Sequence, residues 1–192
     1  MSETLLRTFL SIPVPNEVRS VKNMYFLSLK DNRSEIKWVR NMQLHLTLKF
    51  LGHTPKSELE KIINKIKPIT EATKPFALSV SGTGCFPNSN RPRTLWLGVT
   101  GDIDPLIILV NEIRSCLDSI GFPSENNNYV PHITTARIQY PQKHKPNIDL
   151  FLHSSYDAID FPADRVQFFS SELLPDGAVY TLLNSFPLGE TL

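Results

Sequence analysis

Two short stretches of this chain share one pattern and lie slightly less than half a chain apart. Leu44-His45-Leu46-Thr47-Leu48 is echoed by Pro131-His132-Ile133-Thr134-Thr135. Around the first, residues 43–50 alternate: Leu44, Leu46 and Leu48 face one way, His45, Thr47 and Lys49 the other. Period two is the mark of a half-buried strand. Each echo sits on a strand that follows a helical stretch, and each half adds a further strand. A duplicated α+β lobe is the simplest architecture that satisfies the repetition. The expectation is a single bilobal domain over 1–192. Its first lobe covers about 1–93 and its second about 94–192, with the termini free to cross between lobes.

The remaining elements are short, because fifteen prolines punctuate the chain. Strands are expected over 7–12, 36–39, 76–81, 94–99, 129–138, 165–173 and 178–183. Gly52 is read as the end of the 43–50 strand, and 82–93 as a loop. Val18, Val21, Tyr25 and Leu29 mark a helix over 17–29, and Leu59, Ile62, Ile63 and Ile66 one over 57–66. Leu106, Leu109, Val110, Ile113, Leu117 and Ile120 form the longest apolar stripe, a helix over 105–120 stopped by Gly121. A helical turn is expected over 148–152, a polar basic loop over 139–146, and a turn at Pro175-Asp176-Gly177.

Composition narrows the function. Twenty Lys and Arg against nineteen Asp and Glu leave a net charge of +1. Bulk affinity for a polyanion needs many phosphate-neutralising cations, so only a local basic patch is compatible with this balance. Hydrophobic residues reach 41 %, enough for a core and too many for intrinsic disorder. No apolar run approaches a membrane span, and residues 1–10 make a poor signal peptide. Only Cys85 and Cys116 are present, in no metal or redox spacing, which points to a reducing cytoplasmic setting.

The chemistry sits in the triplets. On a strand, residues i and i+2 share a face, so His45 and Thr47 are neighbours, as are His132 and Thr134. If the lobes are related by a pseudo-twofold, two imidazoles meet across one cleft, each beside a hydroxyl. Imidazole titrates near ~6.5, so one ring can serve as acid while the other serves as base. Opening a cyclic phosphodiester needs that division: one group deprotonates water while the other protonates the departing ribose oxygen. The threonine hydroxyls would hold the non-bridging oxygens. The scheme calls for no metal and no cofactor. A metal site is the rival use of paired histidines, but nothing beside either triplet supplies a third strong ligand. His53, His144 and His153 read as solvated.

Lys49, Arg91, Arg93, Arg137, Lys143 and Lys145 are the candidate cations, with solubility the ordinary role of each. Arg93 stands out as the last residue before a strand. Arg137 lies three residues past Thr134, so only a bulge or a strand end can bring it to the same face. Trp38, Phe86, Trp96 and Tyr129 could stack a base, or pack in the core. Phe86, in its loop, and Tyr129, just before the second triplet, are the better stacking candidates.

Read together, these segments resemble the two-histidine phosphoesterases, and within them the RNA 2′,3′-cyclic phosphodiesterases long called 2′-5′ RNA ligases. The resemblance is carried in order by residues 7–12, Lys37-Trp38-Val39-Arg40, Gln43 to Gly52 with its His-x-Thr core, and Gly82 to Pro87. Residues 91–99, Pro131 to Arg137, 175–180 and 186–188 continue it. It implies two α+β lobes, each an antiparallel sheet with outer helices, around a positively charged central cleft. It implies His45 as general acid and His132 as general base, with Thr47 and Thr134 on the phosphate. The implied reaction opens an RNA-terminal 2′,3′-cyclic phosphate to a 2′-phosphate, and in reverse joins such an end to a 5′-hydroxyl. Arg93, Arg137, Phe86 and Tyr129 complete the expected substrate contacts. Many relatives carry a basic residue where this chain has Tyr129-Val130, which bears on substrate preference. A small cyclic nucleotide, or a non-catalytic module that binds RNA ends, are the alternative functions. A monomer is expected.

Overall fold

A computed structural model describes residues 3–29, 36–124, 128–141, 146–174 and 177–189. The turn expected at Pro175-Asp176, and the basic loop residues Lys143, His144 and Lys145, lie outside them.

Among the described residues, nine strands and four helices follow one another as β1 (Leu5–Pro13), α1 (Glu17–Ser28), β2 (Ile36–Trp38), β3 (His45–Pro55), α2 (Leu59–Ala72), β4 (Phe76–Phe86), β5 (Thr94–Gly101), α3 (Ile103–Asp118), β6 (His132–Ile138), α4 (Asp149–His153), β7 (Ile159–Ala163), β8 (Arg165–Leu174) and β9 (Gly177–Pro187). The strands form one strongly curled antiparallel sheet in the order β7-β4-β5-β6-β3-β1-β8-β9, with β2 on β6. The α+β class and the paired lobes are as expected. The lobes meet where β3 and β6 touch, through the single register pair Leu46 and Ile133.

The two sides of the sheet do not correspond to the two halves of the chain. β4, from the first half, pairs with β5, while β8, from the second half, pairs with β1. β4 follows α2 and joins the side of β5 and β6, where β7 also lies, while β8 and β9 return to the side of β1 and β3.

Helices cover one face. The stripe Leu106, Leu109, Val110, Ile113 and Leu117 of α3 is fully buried, as are Ile62 and Ile66 of α2. They pack with Leu10, Ile12, Leu46, Leu48, Leu95, Leu97 and Ile133 from the strands. Each such side chain stabilises the fold by roughly 1.5–3 kcal/mol relative to exposure. α2 continues through Pro68 to Ala72, beyond the end expected at Ile66. Packing outweighs the lost amide, because Thr70 is buried on α2 and its carbonyl accepts from Gly189 N–H.

Bulges set which residues reach the other face. β3 carries an extra residue at Leu48 and another at Leu51, so it runs through Gly52, which has φ +74°, and ends at Pro55. β4 likewise runs to Phe86, past the expected loop start, with an irregularity at residues 81–82 where Gly82 has φ +72°. β6 carries an extra residue at Thr135, opposite the Leu95–Trp96 step of β5. In both triplet strands the extra residue is the third after the histidine.

Candidate active site

Leu46 and Ile133, fully buried, fix the centre. His45 and Thr47 flank Leu46 on one strand, and His132 and Thr134 flank Ile133 on the other, so all four project from the face opposite the helices. Antiparallel pairing sets His45 toward Thr134 and Thr47 toward His132. The imidazoles then occupy a diagonal, about 7–8 Å between backbone positions on a regular ladder. The four residues that the sequence singles out are thus brought to one place on the open face.

The two rings are held alike. His45 Nδ1–H donates to the carbonyl of Gln43 at 2.7 Å, and His132 Nδ1–H donates to the carbonyl of Val130 at 2.7 Å. Each bond runs to the residue two before the histidine, fixes the tautomer, and leaves Nε2 as the free nitrogen. Their surroundings differ. His45 stacks on Phe9 with centroids 4.8 Å apart and meets the edge of Tyr180 at 5.6 Å. Phe169 and Phe50 extend that aromatic wall. His132 stands edge-on to Phe86 at 4.9 Å, with Trp96 at 6.1 Å. Trp96 lies flat across Gly84, where a Cβ would come within 2.2 Å of the indole.

Burial pushes the His45 pKa down to about 4, opposed by the Gln43 carbonyl and reinforced by Arg137 and His132. Burial lowers His132 as well, with the Val130 carbonyl opposing and Arg137 adding. Burial thus favours the neutral form of both rings in the free protein, whereas the sequence leaves either ring able to carry the proton.

The Thr135 bulge turns Arg137 onto the open face, opposite Thr94 of β5. Its charge acts on both imidazoles. Arg93 is exposed and its guanidinium lies over the Tyr140 ring at 4.3 Å, so it stands at the rim. Lys49 departs from expectation. The Leu48 bulge reverses its facing, and it is 5 % exposed on the helix side, with Nζ on Asp118 at 3.0 Å and on Ser124 Oγ. The outward position falls to Phe50, five residues after His45 as Arg137 is five after His132, and Phe50 is 62 % exposed. Tyr129 also departs: its hydroxyl is enclosed and donates to the Thr47 carbonyl at 2.9 Å, and Arg114 covers its ring. It braces the first triplet from the second lobe instead of offering a face to a base.

Phe9, Phe50 and Tyr180 lie in segments that carry the resemblance, but the sequence reading gives them no role at the site. Phe50 was within reach of it, through the equal spacing from each histidine. Tyr180 was not, since only the pairing of β8 with β1 and β9 brings it to His45. Among the described residues no three His, Cys, Asp or Glu side chains converge as a metal site, and no helix is long and apolar enough to cross a membrane.

Comparison with known proteins agrees with this geometry. Residues 12–96 match the family model of LigT-like phosphoesterases. The RNA 2′,3′-cyclic phosphodiesterase of Thermotoga maritima is 32 % identical over 93 % of both chains. That of Aquifex aeolicus is 32 % identical over 80 % of this chain and 82 % of its own. Among solved structures, a Thermus thermophilus protein superposes with a TM-score of 0.81 at 29 % identity, covering 97 % of this chain and all of its own. Escherichia coli LigT, solved in complex with 3′-AMP, superposes at 0.75 with 23 % identity, over 96 % of this chain and 99 % of its own, and supports the fold. The paired triplets, the shared bilobal sheet and these relatives lead to one assignment: the chain belongs to the LigT-like phosphoesterase family.

Proposed function

We propose that this chain opens the 2′,3′-cyclic phosphate at an RNA 3′ end to a 2′-phosphate, with His45 as general acid and His132 as general base. The observation that carries the reading is the four-residue cluster around Leu46 and Ile133, in which both free Nε2 atoms stand on the open face. The relatives' activity supports the substrate class.

Water attacks phosphorus and passes a proton to His132 Nε2. The P–O3′ bond breaks, and His45 Nε2–H protonates the departing O3′. One water is consumed, and the two rings exchange their proton through solvent. Thr47 and Thr134 donate to the non-bridging oxygens, and Arg137 offsets the charge that develops on them. The acid needs the substrate for this, whereas the base is already in its working form. Burial disfavours a charged imidazole most strongly at His45, so the phosphodiester anion must raise that ring before it can act as the acid. The steps are proton transfers between side chains and substrate, and require no metal. With a 5′-hydroxyl in place of water, the same pair joins two ends through a 2′-5′ linkage.

The test is hydrolysis of an oligonucleotide 2′,3′-cyclic phosphate in excess chelator. His45→Ala and His132→Ala are each expected to slow it by about 10²–10⁴, and product analysis to give the 2′-phosphate. Wild-type turnover in either variant removes the assignment. Tight binding of RNA ends with no product from wild type would make the chain a binding module instead.

A further inference from the structure

β2 is three residues long, and its pairing is with β6. Its middle residue, Lys37, is the direct antiparallel partner of Arg137. Directly opposed residues share a face, and Lys37 is exposed like Arg137, while Ile36 and Trp38 pack against the core opposite buried Ile138 and Ala136. The strand therefore cannot roll to part the two charges. Like charges placed directly opposite destabilise a sheet. Among the described residues neither cation meets a carboxylate in an ion pair. In a chain with a net charge of +1, this is a local concentration of positive charge with no carboxylate partner among the described residues.

Its place relative to the triplets is set by the ladder. Successive rows across the open face read His132–Gly98, then Thr134–Trp96–Gly84, then Lys37–Arg137–Thr94–Phe86. With one residue taken up by the bulge, Arg137 stands about 13 Å along β6 from His132 at 3.3 Å per residue. Lys37 lies on the edge of β6 that β3 also uses, in the column of His45 and two rows, about 6.6 Å, beyond it. The arginine can lean back toward the triplets. The lysine stands over the row beyond the triplets, at the spacing of a neighbouring phosphate.

We infer that Lys37, beside Arg137, forms a second phosphate subsite, which receives the phosphate on the 5′ side of the nucleotide whose cyclic phosphate is opened. This rests on the reading that His45 and His132 act on that cyclic phosphate. The ammonium is a point charge suited to a phosphate oxygen, and Arg137 spans the two anions. The ligand chemistry is a phosphate esterified to the 5′ carbon of the terminal ribose, supplied by a preceding RNA nucleotide or by a 5′-phosphorylated mononucleotide.

The experiment compares adenosine 2′,3′-cyclic phosphate, its 5′-phosphorylated form, and a dinucleotide ending in the same cyclic phosphate. For wild type, kcat/KM is expected to rise by tenfold or more when the 5′ phosphate is added. Lys37→Ala should collapse that ratio toward one, and Lys37→Arg should restore most of it. A ratio that Lys37→Ala leaves intact overturns the subsite, as does an equal loss on all three substrates. The 5′-phosphorylated nucleotide and the dinucleotide separate the two sources: a gain confined to the dinucleotide assigns the site to RNA, and a gain shared by both assigns it to the phosphate alone. If wild type hydrolyses none of them, the catalytic reading has failed. Calorimetric binding of adenosine 2′-phosphate with and without a 5′ phosphate then tests Lys37 by itself, and equal affinities in wild type and Lys37→Ala overturn it.

Discussion

His45 couples the candidate site to the stability of the fold. Burial holds its pKa at about 4, against 6.5 for an unperturbed ring. The unfolded chain accepts a proton at the higher value and the folded chain only at the lower. Above pH 6.5 both states carry a neutral ring and nothing is lost. Between 6.5 and 4 the unfolded state binds a proton that the folded state refuses, and each pH unit costs the fold about 1.4 kcal/mol. Below 4 the loss levels off near about 3 kcal/mol. Urea unfolding of wild type and His45→Gln at pH 7, 6, 5 and 4 isolates this contribution, because every other titrating group, including His132, enters both proteins. The stability difference is expected to move against wild type by about 3 kcal/mol from pH 7 to pH 4, and saturating inorganic phosphate should shrink that movement. Parallel stability curves would refute the claim that the ring lies desolvated against Phe9 and Tyr180.

Gly84→Ala places a methyl where the Trp96 indole lies. The overpacking should cost about 1–3 kcal/mol and loosen Phe86 and His132 with it, read as a lower melting temperature and altered tryptophan fluorescence; neither changing would show that Trp96 has room to spare. For the Lys49–Asp118 pair, removing the charge while keeping the stem, as in Lys49→Met, should stay within about 1 kcal/mol of wild type. Asp118→Asn keeps an oxygen acceptor but removes the charge that offsets the buried ammonium, and should cost roughly 1–3 kcal/mol, discounted because Asp118 is itself 44 % exposed. Denaturant midpoints in the opposite order would contradict this account.

The histidine triplets and the α3 stripe were legible because each is a local period: two for a strand, about three and a half for a helix. The bulges were not, since an extra residue in one strand is defined only against its partner. That is why Lys49 looked outward from its own sequence while the ladder turns it in, and why Arg137 could be assigned to the open face only on condition. Proline and glycine misled for a related reason. Pro68 and Gly52 are breakers in isolation, and here tertiary packing and bulge geometry carry α2 and β3 through them. β7 went unseen because Ile159–Ala163 is short and contains Pro162, which a sheet accepts near its edge. Tyr129 shows the limit for side chains: its position just before a triplet suggested contact with substrate, whereas its hydroxyl is used on the Thr47 carbonyl of the other lobe.

The crossing of strands between lobes has a consequence for synthesis. Both triplets and Phe9 are made before residue 140, yet Phe169 and Tyr180, which close the wall around His45, belong to β8 and β9. A nascent or truncated chain ending before Arg165 would hold every residue of the catalytic proposal and still leave Phe9 uncovered, with β1 an open edge. Maturation of the first-made histidine thus waits on some of the last-made strands, and neither half of the polypeptide can be expressed alone as a working unit.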